Sequence, residues 1–458
     1  MKKSNRKGFT IVELVIVIAV IAILAAVLIP TFSNLIKKAN ESSDVQAVRQ
    51  MNTFLAADGA VTPTTPGRLL DVLKEGGFDA ENYKPLVADR AFFWDRSLNQ
   101  ILYVDTTTGE VLFPKKVEAN QATWYSLNGS TTLFGQTVSE NLLLEAPAKT
   151  QEFAVSNGAD FIKVAEFVRN NKDFYTSLEK DPTGTKGTEG TITIVLSGDI
   201  NLQGADINFT QDETTGLNVV FKSDVEGTKR TISGLYISDQ HTTTGSDADG
   251  NAASNYGHSL FNYINDLTVS DIAIEYSVIG GYSASQAGFF AGQVSGDASF
   301  TNVSVTYSDI QGLKKVGVLC GYTHGKVTFN NVVIDNCTVS SAQGEAGVVI
   351  GVVEVSAVPS NQNAVSGTIT VTNSTVNVPN INTVKTVTDA NDKQYTIVEY
   401  VEDGKTDWRI ATANFAFWSP SQSLAKTSAE GTSFRAYTAL DTLEAFLTAT
   451  GAGAASND

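Results

Sequence analysis

Polar and apolar positions divide the chain into one long apolar segment near the N-terminus and a remainder of short, alternating stretches. Residues 14–29 are sixteen consecutive apolar residues without glycine, proline or charge. Counted from Phe9, only Thr10 and Glu13 interrupt this run, which predicts a helix just long enough to span a bilayer. The run follows four cations that should stay on the cytoplasmic side of a membrane, namely Lys2, Lys3, Arg6 and Lys7.

The helix is predicted to continue beyond Pro30 and the interfacial pair Lys37 and Lys38. An apolar stripe with spacings of three and four residues indicates an amphipathic second half, formed by Val45, Val48, Met51 and Leu55. Asp58-Gly59 is predicted to end the helix, which would then be about 70 Å long.

Short elements are predicted next. A helix over 68–74 stops at Gly76-Gly77, and three strands joined by turns follow at 91–95, 100–105 and 109–114. Asn157 is a candidate N-cap for an amphipathic helix through Phe161, Val164 and Val168. We expect that helix to cover the open end of a β-structure that begins near Thr191.

A glycine-bounded motif repeats in the β-rich region. Its copies span residues 288–292, 317–321 and 347–351, so the period is 29–30 residues; an earlier, degenerate copy starts at Gly257. This period predicts stacked solenoid coils, with glycines where each coil turns sharply. Cys320 shares its repeat position with Ala291 and Ile350, which favours a buried core side chain over a disulfide with Cys337.

Glu13 is the anomaly of the apolar run. A carboxylate inside a membrane helix costs a few kcal/mol, so it needs a partner and a purpose. If the chain is cut after Gly8, the new amine of Phe9 supplies a cation. Glu13 of one helix would then meet the Phe9 amine of its neighbour.

Residues 7–14 (Lys-Gly-Phe-Thr-Ile-Val-Glu-Leu) resemble the processing signal of type IV pilins and their secretion-system relatives. The resemblance implies that a prepilin peptidase cuts between Gly8 and Phe9, that Phe9 is methylated and that Glu13 is needed for assembly. Pro30 stands where many members of that family carry a helix-interrupting proline. The resemblance covers roughly the first 35–60 residues, and the repeats resemble glycine-rich modules of surface proteins with a right-handed β-helix.

Three other readings compete for this segment. An ordinary secretory signal has a shorter apolar core, of about 7–15 residues, without an early glutamate. An uncleaved single-span anchor explains the hydrophobicity but not Glu13. A buried core helix needs neither the basic leader nor this length.

The expected fold class is α+β: a long N-terminal transmembrane and amphipathic helix with a small antiparallel sheet, followed by an all-β, right-handed β-helix-like solenoid. Five segments are predicted: a leader peptide (1–8), a pilin-like helix and head (9–120), a linker and capping helix (121–190), a β-helix-like repeat domain (191–380), and a C-terminal hairpin and tail (381–458).

Candidate chemistry outside the N-terminus is sparse, and we expect no catalytic residues, no metal and no cofactor. The three histidines are widely separated. Residues 247–251 resemble the start of a calcium loop whose terminal glutamate is missing, so a solvated turn is favoured. Folds of the β-helix type also host polysaccharide-cleaving enzymes with clustered carboxylates, and Asp271 and Glu275 would share one strand face by the period-two geometry of a strand; we nevertheless expect no enzyme. A net charge of -17 disfavours nucleic acid as a partner.

The sequence therefore predicts a type IV pilin-like filament subunit, minor or tip-located and adhesive. Its expected partners are the prepilin peptidase, other pilin subunits through the N-terminal helix, the inner-membrane assembly machinery, membrane lipid and a surface ligand. It would be a single-pass membrane protein before assembly and part of a cell-surface filament afterwards. The alternatives are a pseudopilin of a type II-like secretion system and a surface polysaccharide-active enzyme on a pilin-like anchor.

Overall fold

A computed structural model of the chain describes residues 11–57, 63–78, 83–115, 121–127, 133–179, 189–238, 257–280, 286–313 and 315–341, and shorter stretches from 345 to 433. The helices are α1 (Ile11–Ala57), α2 (Pro66–Glu75), α3 (Gly158–Asn170) and α4 (Lys172–Thr176), and a 3-10 turn spans Gln121–Thr123. A long apolar helix followed by a mostly β remainder makes the fold α+β.

The second half of α1 (residues 40–57), α2 and a small antiparallel sheet form a unit that we call the head. Its strands are β1 (Arg90–Asp95), β2 (Gln100–Asp105), β3 (Val111–Phe113) and β4 (Trp124–Ser126). They lie in the order β3-β2-β1-β4, and neighbouring strands run antiparallel. The three strands predicted over 91–114 are therefore confirmed, while β4 comes from further along the chain.

A second unit, which we call the parallel-sheet body, runs from residue 150 to residue 377. Its first strands are β5 (Thr150–Val155), β6 (Gly190–Leu196), β7 (Ile200–Asn201), β8 (Thr210–Thr214), β9 (Leu217–Ser223), β10 (Arg230–Ser233), β11 (Tyr236–Ile237), β12 (Phe261–Ile264), β13 (Leu267–Ser270), β14 (Ile272–Glu275), β15 (Val278–Ile279), β16 (Gln286–Ala287) and β17 (Ala291–Val294). They are followed by β18 (Ala298–Thr301), β19 (Ser304–Thr306), β20 (Asp309–Gly312), β21 (Lys315–Val316), β22 (Cys320–Thr323), β23 (Val327–Asn330), β24 (Val333–Asp335), β25 (Thr338–Ser341), β26 (Glu345–Ala346), β27 (Ile350–Val353), β28 (Ile369–Thr372) and β29 (Thr375–Asn377).

These strands form parallel sheets of three to seven strands, for example β27-β22-β17-β12-β8. In the registers, Ala291 lies beside Cys320 and Cys320 beside Ile350. These are the three residues that share one position in the sequence motif. Strand β5 pairs with β6, so the sheet already includes part of the segment 121–190 that was predicted as linker.

The same register stacks aromatic side chains inside the body. Phe300 pairs with Phe329, and their rings are stacked with centroids 5.5 Å apart. Phe209 stacks on Phe261 at 4.8 Å. Each ring is fully buried, so the body has its own apolar core, to which successive strands contribute.

Close approach of neighbouring backbone, and not a left-handed conformation, explains Gly288 and Gly321 of the repeated motif. The φ angles of Gly288 and Gly321 are not in the left-handed region. A Cβ atom on Gly288 would lie 2.5 Å from the Cα of Cys320, on the neighbouring strand. The left-handed positions belong instead to other residues, among them Asp271, Asn302 and Asn331.

Helix α3 lies against β5, β7 and β8, the first strands of their sheets. Asn157 is its N-cap and accepts a hydrogen bond from the backbone N–H of Asp160 at 3.1 Å, as predicted. Phe161, Val164 and Val168 face the core of the body.

Beyond the body, β30 (Thr383–Thr388), β31 (Gln394–Glu402), β32 (Lys405–Thr412) and β33 (Phe415–Ala416) form an antiparallel sheet that includes the predicted hairpin, and β34 (Ser428–Ala429) pairs with β35 (Thr432–Ser433). Residues 434–458 of the predicted C-terminal tail lie outside the described residues.

Candidate functional site: the exposed half of the N-terminal helix

The first half of α1 carries apolar side chains that the rest of the chain does not cover. The large apolar side chains described from residue 11 to residue 36 are between 46% (Val17) and 82% (Ile11) exposed. This half is about 39 Å long at 1.5 Å per residue. An 18-residue window of α1 has a mean hydropathy of 3.3, so by length and composition the helix could cross a membrane.

The second half of α1 is anchored in the head by one apolar face. Val48, Met51 and Leu55 are buried there. The same face includes Asp44, which precedes Val48 by one helical turn and is 3% exposed. The stripe predicted from the sequence had Val45 in that place, but Val45 is only half-buried.

Asp44 joins the helix to the head through hydrogen bonds. Its carboxylate accepts from the backbone N–H groups of Leu86 at 2.9 Å and Val87 at 3.3 Å, and from the phenol of Tyr103 at 3.0 Å. Burial, and next the charge of Asp44, raise the pKa of Tyr103 well above its usual range, so the phenol remains a donor. A polar residue on an apolar stripe is the sequence signal that could have identified this contact.

Asn52 forms a second anchor. Its amide donates to the carbonyl of Ile101 at 2.9 Å and accepts from the N–H of the same residue at 2.7 Å. Strand β2 is therefore bound to α1 by a reciprocal pair of hydrogen bonds. Arg90 adds a bridge, since its guanidinium lies 2.7 Å from Asp105 and 3.7 Å from Glu41 of α1.

Glu13 lies in the first described turn of α1, on the exposed half. A carboxylate is favoured in the first turn of a helix because the backbone N–H groups there carry partial positive charge. Gly8 and Phe9 lie outside the described residues. Pro30 lies inside α1, and the helix is continuous from Ile11 to Ala57, so the proline does not divide it.

The carboxylate pair considered for glycan cleavage does not share a strand face. Asp271 precedes β14 and has a φ of 57°, so the alternation of an extended strand does not apply to it. It is buried and accepts a hydrogen bond from the amide of Asn302 at 2.6 Å. Expecting the two carboxylates on one face was therefore wrong.

The other candidate groups are also dispersed. His258 is buried, and His324 contacts Gln293 at 3.0 Å. His241 and the calcium-loop resemblance at 247–251 lie outside the described residues. Within the described part of the chain, no group of three or more His, Cys, Asp or Glu side chains could hold a metal ion.

Cys320 and Cys337 are both buried free thiols, as the repeat position of Cys320 predicted. Burial raises the pKa of Cys337 to about 12. Its thiol contacts the carbonyl of Asp335 at 3.4 Å, in the same way that the Ser308 hydroxyl contacts the carbonyl of Thr306 at 2.8 Å. Both cysteines therefore serve as small core side chains.

The apolar end of the chain resembles known proteins. A family described as the prokaryotic N-terminal methylation motif matches residues 3–29. The type IV major fimbrial protein FimA of Dichelobacter nodosus is 47% identical over 53 residues, which is 12% of this chain and 34% of that protein. The type IV wide pilus major component PilA4 of Thermus thermophilus is 63% identical over 38 residues, 8% of this chain and 29% of that protein.

The two relatives match 12% and 8% of this chain, and the chain spans about a third of the length of the curated relatives it matches. No solved structure matches it significantly. The chain thus carries a type IV pilin N-terminal signal on a helix with an exposed apolar half. This combination fits a pilin-like subunit with a membrane-anchored precursor.

Proposed function

We propose that this protein is a filament subunit stored in the membrane through the first half of α1 and assembled through that same half. One observation carries the proposal: the other described residues leave an apolar helix about 39 Å long uncovered, and the head packs only on the second half of α1. The motif at residues 3–29 supports it. The uncovered half needs lipid before assembly and neighbouring helices afterwards.

Cleavage between Gly8 and Phe9 by a prepilin peptidase is part of the proposal, as is methylation of Phe9. Cleavage creates an amine four residues before Glu13. That amine on one subunit then pairs with the Glu13 carboxylate of the next. A charged side chain at the centre of a bilayer costs about 2.5–3.5 kcal/mol, so this pairing favours release from lipid into the filament and fixes the stagger of neighbouring helices.

We further propose that the parallel-sheet body is a right-handed β-helix-like solenoid that faces outward and binds a surface ligand. The parallel registers at intervals of 29–30 residues support the solenoid. The body, with about half of the chain, is bulky beside the head and limits dense helical packing of subunits. A minor or tip-located subunit therefore fits better than a major one, and we propose that it is adhesive and has no enzymatic activity.

Substitution of Glu13 tests the assembly step. Glu13→Val and the near-isosteric Glu13→Gln should insert into membranes like the unmodified chain, yet be absent from sheared filaments, because both remove the charge. Val17→Leu, in the same exposed stretch, should assemble normally. Filaments that contain Glu13→Gln at the unmodified level would refute the role given to this carboxylate.

Labelling tests the tip placement. An antibody against the parallel-sheet body, imaged by electron microscopy, should mark filament ends or sparse positions. Uniform labelling along whole filaments would contradict a minor or tip-located role while leaving assembly through α1 in place.

A further inference from the structure

The head and the parallel-sheet body meet at a polar joint. The backbone N–H of Gly67, at the start of α2, donates to the Oδ2 of Asp309 at 2.9 Å. Ser126 of β4 donates to the carbonyl of Gln203 at 2.8 Å, and the Arg96 guanidinium lies 3.4 Å from the ring centre of Tyr276. Val278 of the body also packs in the core of the head.

Asp309 is the buried centre of this joint. Its side chain is 3% exposed and is held from both units. The hydroxyl of Thr65, the N-cap of α2, hydrogen-bonds it from the head, and the hydroxyl of Thr338 donates to its Oδ1 from strand β25. A Cβ atom on Gly67 would lie 2.4 Å from Oδ2, so the carboxyl fits only against a glycine.

The titratable groups facing Asp309 provide no countercharge. Asp71 faces it from α2 and is itself acidic, while Tyr125 of β4 and the thiol of Cys337 are buried. Burial raises the pKa of Asp309, the hydrogen bonds from Thr338, Thr65 and Gly67 oppose that rise, and Asp71 adds to it. Burial also raises the pKa of Asp71.

We propose that Asp309 makes the joint between the head and the body depend on protonation, so that the joint is tighter in acid and looser when the carboxyl is ionised. A protonated carboxyl still accepts from Gly67 and can donate its own proton to a threonine hydroxyl. An ionised one gains solvation whenever the joint opens. The stabilisation is therefore complete below the ordinary pKa of aspartate and is lost as pH rises through the raised value.

Distances between the two units test this directly. Spin labels at Leu98→Cys on the head and Val225→Cys on the body use exposed positions, and the buried native thiols should not react. In the full chain in detergent, pulsed electron paramagnetic resonance should give one narrow distance distribution at pH 3.5, below the ordinary pKa of aspartate, and an added broad component at pH 8. For a single proton, the ratio of the two populations changes by at most about tenfold per pH unit.

Variants separate a titrating group from a merely structural one. Asp309→Asn should keep the narrow distribution at both pH values, and Asp71→Asn should move the transition to lower pH by removing a like charge. Glu152→Gln, on an exposed carboxylate of the body, should behave like the unmodified chain. An unchanged distribution between pH 3.5 and pH 8, an unaltered pH response in Asp309→Asn, or no movement of the transition in Asp71→Asn would each overturn the proposal.

Discussion

Asp160 is a buried carboxylate held by a full set of donors. It accepts from the backbone N–H groups of Ser139 at 2.7 Å and Ser156 at 3.0 Å, and from both of their hydroxyls at 2.7 Å. Burial acts to raise its pKa, but the hydrogen bonds outweigh burial, so the pKa of Asp160 lies below its usual value. This carboxylate binds the start of α3 to the segment around Ser139.

Asp160→Asn should destabilise the protein by about 1–3 kcal/mol at pH 7, because one amide oxygen cannot serve four donors. Since the native pKa is lowered, the stabilisation is present above the ordinary pKa of aspartate and is lost as pH falls through the native value. In urea unfolding, the free energy of unfolding of Asp160→Asn should therefore be lower than that of the unmodified chain at pH 7, and the difference should shrink in acid.

Glu166→Gln is the control on the same helix, because its exposed ion pair with Lys163 contributes no more than about 1 kcal/mol. An Asp160→Asn deficit that is equal at pH 7 and pH 3 would contradict the ionised form of Asp160 as the source of this stabilisation.

At the scale of elements, α1 could be predicted almost completely from the sequence. Sixteen apolar residues followed by an amphipathic stripe define its course, and its end at Ala57 agrees with the predicted stop at Asp58-Gly59. The antiparallel strands and the N-cap of α3 were predictable for the same reason: their signals lie within a few residues of each other.

Contacts between residues far apart in the chain could not be predicted from the local sequence pattern. Gly67 and Asp309 are 242 positions apart, and neither position shows an anomaly in its local pattern. Asp271 was misassigned because it was treated as the first residue of a strand, whereas it occupies a left-handed turn position, where Asp and Asn are enriched. The period of the glycine motif was predicted from the sequence. The reason for the glycines, the close approach of a neighbouring strand, is seen only in the folded chain.

Gly288→Ala tests that cause. The added Cβ would lie 2.5 Å from the backbone of Cys320, and moving backbone atoms costs free energy. We therefore expect the free energy of unfolding of the body to fall by about 1–3 kcal/mol. The control Gly227→Ala has a left-handed φ of 77° but nothing within 4 Å of its Cβ, so it reports conformational strain without crowding. A smaller loss for Gly288→Ala than for Gly227→Ala in urea unfolding would contradict the crowding argument.

At the scale of the whole molecule, the described residues combine an uncovered apolar half-helix with a head that packs only on the second half of α1. The anchors at Asp44 and Asn52 connect α1 to the head, and the joint at Asp309 connects the head to the parallel-sheet body. Hydrogen bonds and packed side chains thus link the body to the helix proposed to enter the filament.

Mass spectrometry of the chain recovered from filaments tests the central claim most directly, because the proposed pairing with Glu13 needs the amine that cleavage creates. The account predicts a mature chain that begins at Phe9, carries one added methyl group on its amine and lacks the first eight residues. A filament-derived chain that still begins with the basic leader would contradict it.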